Sequence, residues 1–288
     1  MGGSVAALGL GTAAVWGSAD FTGGIAAKRA APAFVVAVAH GFSLILLLAA
    51  AVFLHTTSAL MGLDGFLSGI FCGSGLIALY GALSRGSMGL SAAVSGLLTA
   101  IVPVTFSWFR EGHAPPQRLI GFAVAAVAIW LVAYTPDRDS AGTDRRRGLG
   151  LAVVAGLSFG AMLIFMHLAA VHGVFRAIVA MRVASTAVAA LAGLGFCLIQ
   201  GRTEPRAVGF PLGKVLLLAM LAGVLDTSGN VLYLFASLAG RLDVAAVLSS
   251  LYPAATMVLA AWLLKERATR SQVAGMALAL AAVVLISI

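Results

Sequence analysis

The amino-acid sequence predicts an all-α membrane protein with ten transmembrane helices, arranged as two inverted five-helix repeats. Apolar residues make up 61% of the 288 residues and charged residues only 10%, whereas a soluble globular chain carries about 25% charge. The apolar residues form continuous runs, and a helix needs about 20 such residues to span the hydrocarbon of a bilayer. The two halves of the chain also share residues at nearly constant offsets.

Ten apolar runs alternate with polar stretches. Helices are predicted rather than barrel strands, because barrel strands alternate apolar and polar residues over about ten positions. Most connections are hardly longer than a turn, as at Lys28-Arg29 and His172-Gly173. The predicted helices cover approximately residues 5–27, 33–54, 65–84, 88–109, 117–135, 148–171, 175–199, 212–238, 244–264 and 270–288.

A charged segment at residues 136–147 separates the predicted first repeat, residues 1–135, from the second, residues 148–288. Because each repeat has five spans, the second must run upside down relative to the first. Carriers built from inverted repeats bind substrate near the bilayer midplane, between the repeats. The matching pairs are Trp16-Gly17-Ser18 with Phe159-Gly160-Ala161, His40 with Arg182, Leu79-Tyr80 with Leu232-Tyr233, Ala92-Ala93-Val94 with Ala245-Ala246-Val247, and Gly121 with Gly275.

In a soluble protein, the net charge of +8 would suggest nucleic-acid binding. Here most basic residues lie between apolar runs, where they set topology and contact lipid headgroups, so we expect the lipid bilayer and no nucleic acid as a partner. The connections after odd-numbered helices, which lie on one side of the membrane, hold thirteen basic residues, whereas the connections on the other side hold four. By the positive-inside rule, this count predicts that both termini lie outside.

The two cysteines, Cys72 and Cys197, have no paired spacing and are predicted to be small buried hydrophobes.

Four ionisable residues fall deep within predicted spans: Asp20, His40, Arg182 and Asp226. A charge at the centre of a span costs about 2.5–3.5 kcal/mol on insertion scales, so such residues are candidates for function. Asp226, Asn230 and Tyr233 are spaced to share one face of the eighth helix. They are predicted to line a polar cavity, although a hydrogen-bond network that only holds helices together explains them as well.

Trp16 and Asp20 are spaced four residues apart in the first helix, where the ring could stack on an organic substrate or cation beside the carboxylate. Packing in the core or against lipid explains Trp16 equally well. His40 is the candidate for proton coupling, because histidine titrates near neutral pH. A lone histidine within a membrane helix is more often a packed residue that forms hydrogen bonds. Arg182 could bind a substrate carboxylate, but a structural pair with an aspartate is favoured, since an unpaired charge would be worse.

Other substrate-binding candidates are Ser249 and Tyr252 in the ninth helix and Tyr80 in the third. Pro253 and Pro103 are gating candidates, because proline removes a helix hydrogen bond and frees a carbonyl group. A static kink is the alternative for both. The weaker cavity candidates are Ser91, Ser95 and Thr99.

The motifs at residues 251–255 (LYPAA) and 262–267 (WLLKER), followed by Gly275, resemble the signature of EamA-type transporters of the drug/metabolite transporter superfamily. A looser copy in the first half has Pro103, Arg110-Glu111 and Gly121, and the first helix has Trp16-Gly17-Ser18 and Phe21. The resemblance implies ten helices around a central cavity and alternating access. It also implies amino acids, other metabolites or drugs as substrates, mostly exported, with both termini cytoplasmic. Family members often have arginine where this chain has His40.

These observations predict a secondary transporter that exports small metabolites such as amino acids, with a multidrug or organic-cation efflux carrier as the alternative. A membrane enzyme acting on lipids is the runner-up from another class, but it should cluster carboxylates or histidines at one interface. The ten acidic residues are instead scattered, and no Walker-type motif is present. We therefore expect no catalytic residues, cofactor or metal, and a multi-pass location in a plasma membrane, the inner membrane of a bacterium. The sequence makes no prediction of the oligomeric state.

Overall fold

A computed structural model describes residues 2–53, 62–85, 88–112, 114–133, 142–200, 211–263 and 269–287, and these residues form helices joined by turns, with no strand among them. Each predicted run corresponds to a helix within a few residues, except the sixth and the ninth. The helices are α1 (Gly2–Ala27), α2 (Pro32–Phe53), α3 (Leu63–Arg85), α4 (Met88–Glu111), α5 (Pro116–Ala133), α6 (Gly142–Ala170), α7 (Val174–Gln200), α8 (Leu212–Ala239), α9 (Leu242–Ser249), α10 (Tyr252–Leu263) and α11 (Arg270–Ser287).

The ninth run is broken into two helices, whereas a continuous helix over residues 244–264 was expected. The backbone leaves the helix at Ser250 and Leu251 and re-enters it at Tyr252. Pro253 is the second residue of α10, where its missing N–H costs no helical hydrogen bond because the first turn has no acceptor for it. Pro103, by contrast, lies inside the continuous helix α4.

Helix α6 begins earlier than the sequence predicts. It starts at Gly142, so residues 142–147 form its first turns rather than part of a linker. Arg146 and Arg147 are exposed there. The remainder of the predicted linker, residues 136–141, lies outside the described residues.

Small residues allow the helices to pack closely across the two halves of the chain. The most extensive contacts join α1 to α8, α3 to α6, and α5 to α11. A Cβ atom on Gly223 would overlap the Ala39 carbonyl oxygen of α2, and one on Gly69 would overlap the Met181 carbonyl oxygen of α7. Close backbone approach at small residues is typical of helix packing within membranes.

Large apolar side chains cover much of the exterior. Phe53, Phe109 and Leu198 are each more than four-fifths exposed, which would favour aggregation in water but suits contact with lipid. Among the described residues, five helical segments are long and apolar enough to cross a membrane: Pro32–Phe53, Leu63–Leu83, Arg146–Ala170, Val174–Phe196 and Leu212–Ala239. Shorter apolar helical stretches are Val94–Arg110, Pro116–Leu131, Leu242–Thr256 and Val273–Ile286.

Candidate functional site

A small cavity with a mostly apolar lining and a few polar groups lies in the interior, between helices from both halves of the chain. The volume open to the centre of a water molecule is about 30 Å³, and a single water needs roughly 10–15 Å³ on this measure. The cavity therefore has room for about two waters. Its lining residues are Trp16, Asp20, Cys72, Leu76, Thr99, Phe159, Met162, Asp226 and Tyr252.

A buried ion pair lies beside this cavity, where Asp226 of α8 lines it and Arg182 of α7 lies behind the lining. Arg182 is completely buried, and its Nη2 donates to Oδ2 of Asp226. Its Nε donates to Oγ1 of Thr227 at 3.1 Å. Because both partners come from adjacent helices and face each other, each charge is neutralised locally, as a buried charge requires.

Two more side chains meet the same carboxylate oxygen. Asn230, one turn further along α8, donates from Nδ2 to Oδ2 of Asp226 at 3.2 Å. His40 of α2 places its Nε2 3.5 Å from that oxygen. The histidine is completely buried, and neither ring nitrogen has a well-aligned hydrogen bond to any described residue. Asp226 therefore joins residues from α2, α7 and α8 into one polar cluster.

This cluster also contains a set of metal-ligand atoms. The ligand atoms of His40, Cys72 and Asp226 all lie within 4.8 Å of one another. Nitrogen, sulfur and oxygen ligands of this kind suit Zn²⁺ or a similar transition metal. The guanidinium group of Arg182 already neutralises Asp226, however, so a metal ion would meet a cation in direct contact with one of its ligands.

Trp16 is held in place by contacts with α8. Its indole Nε1 donates to Oδ1 of Asn230 at 3.1 Å, and its ring stacks on Tyr233 with centroids 5.7 Å apart. The Tyr233 hydroxyl donates to the carbonyl oxygen of Leu163 in α6 at 3.2 Å. Gly229 provides the space for the indole, because a Cβ atom there would lie 2.7 Å from Nε1.

The break between α9 and α10 brings Tyr252 to the opposite side of the cavity. Its hydroxyl lies 3.4 Å from Oγ of Ser95 in α4. One turn later, Thr256 donates from Oγ1 to the carbonyl oxygen of Gly17 in α1 at 3.0 Å. These contacts tie the start of α10 to α4 and α1, both of which also line the cavity.

Asp20 differs from the other charged residues of this interior. It lines the cavity and is partly buried, yet its carboxylate has no hydrogen bond or ion pair among the described residues. It is near enough to Asp226 for the two carboxylates to repel each other. Because Asp226 is already paired with Arg182, Asp20 is the uncompensated negative charge of the lining.

Five of the residues predicted from the sequence line the cavity: Trp16, Asp20, Thr99, Asp226 and Tyr252. His40, Arg182, Asn230 and Tyr233 lie behind this lining and position its members through the contacts described above. The remaining candidates are all buried away from the lining: Tyr80, which packs against Gly23, Ser91, Ser95, Pro103, Ser249 and Pro253.

Two lining residues, Cys72 and Phe159, are absent from the binding candidates, although the predicted repeat carries a signal for both. Cys72 lines the cavity from α3 and lies 154 positions before Asp226, close to the offset between the predicted repeats. Phe159 matches Trp16 in the predicted repeat, and both rings line the cavity. Extending the offset from Asp226 and Trp16 to their counterparts would have found both residues.

The fold and this interior define a multi-pass helical membrane protein with a small central cavity beside a buried ion pair. Residues 146–288 match the family model described as the EamA-like transporter family. This half of the chain belongs to that family, which confirms the resemblance predicted from the LYPAA and WLLKER motifs. The match indicates that the protein is a membrane transporter with an EamA-like second half.

The fold is shared with a solved protein of low sequence similarity. One crystal structure of a protein superposes with a TM-score of 0.76 at 14% sequence identity, covering 98% of this chain and 96% of that chain. At this level of identity the likeness shows the fold alone. No curated protein matches the chain in sequence.

Proposed function

We propose that this protein is a secondary transporter that exports small metabolites, such as amino acids, from the cytoplasm across a plasma membrane by alternating access. One observation carries the proposal: a small cavity lies between helices of both halves, beside a buried ion pair. A carrier that works by alternating access needs a binding site between parts that can move relative to each other. The two halves that enclose this cavity are the parts that would move.

The arrangement of the contacts supports two inverted repeats, residues 1–135 and 148–288. Helix α1 of the first half packs most extensively on α8 of the second, and α6 packs correspondingly on α3. Both contacts place an aromatic ring against a glycine, Trp16 on Gly229 and Phe159 on Gly75. Such exchange of equivalent contacts is expected of repeats related by an axis in the membrane plane.

The position of the cavity supports substrate binding near mid-depth. Trp16 and Asp226 each lie close to the middle of their long helices, as expected for a midplane site. The aromatic rings and the polar groups of Thr99 and Tyr252 in the same lining match the composition of small-molecule sites, which are mostly apolar with a few well-placed polar groups.

The transport activity is tested by comparing metabolite efflux from cells with and without the protein. A metabolite exported only with the protein should lose transport in Asp226→Asn and Tyr252→Phe, because both side chains line the cavity. Ser237→Ala is the matched control on α8, since Ser237 is buried and, among the described residues, its hydroxyl bonds only to Leu234 of its own helix. Full export by both cavity variants at normal membrane levels would refute the assignment of this cavity.

The inverted topology is tested separately by labelling the connections. Lys28 lies in the turn after α1 and His172 in the turn after α6, and both are exposed. In a chain without native cysteines, Lys28→Cys and His172→Cys should react with an impermeant maleimide from opposite sides of the membrane. Labelling of both from the same side would contradict the inverted repeats.

A further inference from the structure

We propose that His40, Cys72 and Asp226 form a binding site for a soft or borderline divalent metal ion, such as Zn²⁺ or Cd²⁺, and that the bound ion stops transport. Binding of the metal does not depend on the proposed transport function, whereas the block of transport rests on it. The three ligands come from α2, α3 and α8, which is why no ligand spacing in the sequence alone predicts a metal.

Convergence of the ligand atoms is the first argument. The nitrogen, sulfur and oxygen ligand atoms of the three residues all lie within 4.8 Å of one another, and Nε2 of His40 is 3.5 Å from Oδ2 of Asp226. Bond lengths of about 2.0–2.3 Å place neighbouring ligands of a tetrahedral Zn²⁺ about 3.3–3.8 Å apart. Side-chain movements of about 1 Å therefore bring all three ligands to coordination distance.

The helix backbones that carry two of the ligands are held together beside the site. A Cβ atom on Gly223 of α8 would overlap the carbonyl oxygen of Ala39 in α2. Ala39 is the residue before His40, and Gly223 lies almost one turn before Asp226. This close contact fixes the separation of the two helices, so a metal ion needs to order only side chains, and such preorganisation favours binding.

The buried histidine is the second argument. His40 is completely buried, and neither ring nitrogen forms a well-aligned hydrogen bond with a described residue. A buried polar group without a good hydrogen bond is unfavourable. Neutral imidazole is the commonest metal ligand in proteins, so a metal ion would supply the bond that this ring lacks. Cys72 is also buried and forms no disulfide, and a thiolate suits the same ions.

The charges around the cluster are the third argument. The guanidinium group of Arg182 contacts Asp226, and its positive charge opposes a metal ion at that carboxylate. Three negative charges outweigh it: those of Asp226, of Asp20 in the same lining, and of the Cys72 thiolate, which forms when the metal displaces the thiol proton to water. Together with Arg182 and a divalent ion, these charges sum to zero.

The surroundings of the ligands also suit a metal ion. Carboxylates that bind metals are usually hydrogen-bonded to other side chains, as Asp226 is to Arg182 and Asn230 through Oδ2. Its Oδ1 accepts no hydrogen bond from a described residue. Cys72 and Asp226 line the cavity, which has room for about two waters, so a water can complete the four ligands that Zn²⁺ prefers.

A metal ion at this site would block transport by joining helices that move apart. Helices α2 and α3 belong to the first half of the chain, and α8 belongs to the second. Alternating access requires the two halves to move relative to each other, and an ion bound to ligands from both opposes that movement. Hard ions such as Mg²⁺ prefer oxygen ligands and should have no such effect.

Binding is tested with Cd²⁺ alone, added to the full chain in detergent, because a cadmium–thiolate bond absorbs in the ultraviolet. In Cys197→Ser, Cys72 is the remaining cysteine, and this protein should show the absorption with one Cd²⁺ per chain. Excess Mg²⁺ should not reduce it. His40→Gln in the same background should bind Cd²⁺ at least about tenfold more weakly. His172→Gln, in the exposed turn after α6, is the matched control and should bind normally.

Cys72→Ser should lose the absorption altogether. No absorption in Cys197→Ser with excess Cd²⁺, or unchanged affinity in His40→Gln, would overturn the proposal. If the variants at His40 or Cys72 do not fold, cadmium nuclear magnetic resonance of Cys197→Ser still decides the outcome, because the cadmium shift depends on the ligand atoms. A shift typical of one sulfur with nitrogen and oxygen ligands is expected, and a shift typical of oxygen ligands alone would overturn the site.

The block is tested in proteoliposomes with the exported metabolite, and the flux of each variant is compared with its own flux in a chelator. Zn²⁺ at about ten times its measured Kd should leave about a tenth of the flux in Cys197→Ser, since only metal-free carriers cycle. His40→Gln should keep most of its flux at that concentration. Unchanged flux in Cys197→Ser despite bound metal would show that the ion does not stop transport. If no metabolite moves even in the chelator, the transport function fails, while the cadmium measurements still decide the metal site.

Discussion

Removing one member of the buried ion pair should destabilise the protein far more than removing both. Arg182→Met leaves the Asp226 carboxylate inside the bundle without its counter-charge, and Asp226→Leu does the same to the completely buried guanidinium. Each single substitution should cost about 3–5 kcal/mol of unfolding free energy, the usual cost of breaking a buried pair.

The hydrogen bonds of the pair imply a loss of unfolding free energy of the same size. Arg182 donates to Asp226 and to Thr227, and hydrogen bonds to charged groups contribute about 1.5–3 kcal/mol each. In the double variant Arg182→Met/Asp226→Leu no buried charge remains. It should recover most of the loss, because replacing a whole buried pair by apolar residues is often neutral.

Reversible unfolding in mixed micelles, followed by helical circular dichroism during titration with sodium dodecyl sulfate, measures these free energies. Asp64→Asn is the control, and it should cost no more than about 1 kcal/mol because Asp64 lies only in the first turn of α3. The reasoning fails if each single variant loses less than 1 kcal/mol. It also fails if the losses simply add in the double variant, since residues in contact are expected to be coupled.

Three further predictions concern the cavity lining and its support. Trp16→Phe, which loses the 3.1 Å bond to Asn230, should cost about 0.5–1.5 kcal/mol by the same titration; no change would mean that the bond contributes nothing. Gly229→Ala should cost about 1–3 kcal/mol of unfolding free energy, because its Cβ atom would overlap the Trp16 indole. Gly213→Ala is the control on the same helix. The space around Gly213 is open, so this substitution should stabilise the helix by up to about 1 kcal/mol. Cys72 is buried, so it should react with a permeant mercurial only while the protein cycles, and bound substrate should slow the labelling; rapid reaction at rest would contradict this reasoning.

Local relations were predictable from the sequence, because they depend only on helix geometry. The spacing of Asp226 and Asn230 predicted a shared face, and their side chains are hydrogen-bonded at 3.2 Å. The apolar runs predicted the helices within a few residues. The break at Ser250 and Leu251 was missed, because neighbouring proline and serine residues also occur in continuous helices, as Pro103 does in α4.

Partners far apart in the chain were not predictable in this way. Tyr233 shares its helix face with Asp226, yet its hydroxyl binds the carbonyl oxygen of Leu163, seventy residues earlier. Its ring supports Trp16 instead of lining the cavity. Which side of a polar face meets the cavity depends on how α8 is rotated against α1 and α6, and no spacing within one helix encodes that rotation.

The sequence by itself determined that lipid surrounds much of the protein, and it determined the class of protein. Long apolar runs with few charges can satisfy their backbone groups only as helices in lipid, and the LYPAA and WLLKER motifs identified the family. The tertiary structure decided which charges are compensated. Asp20 and Asp226 look alike in the sequence, but only Asp226 meets Arg182, because that contact requires α7 and α8 to pack side by side at one depth.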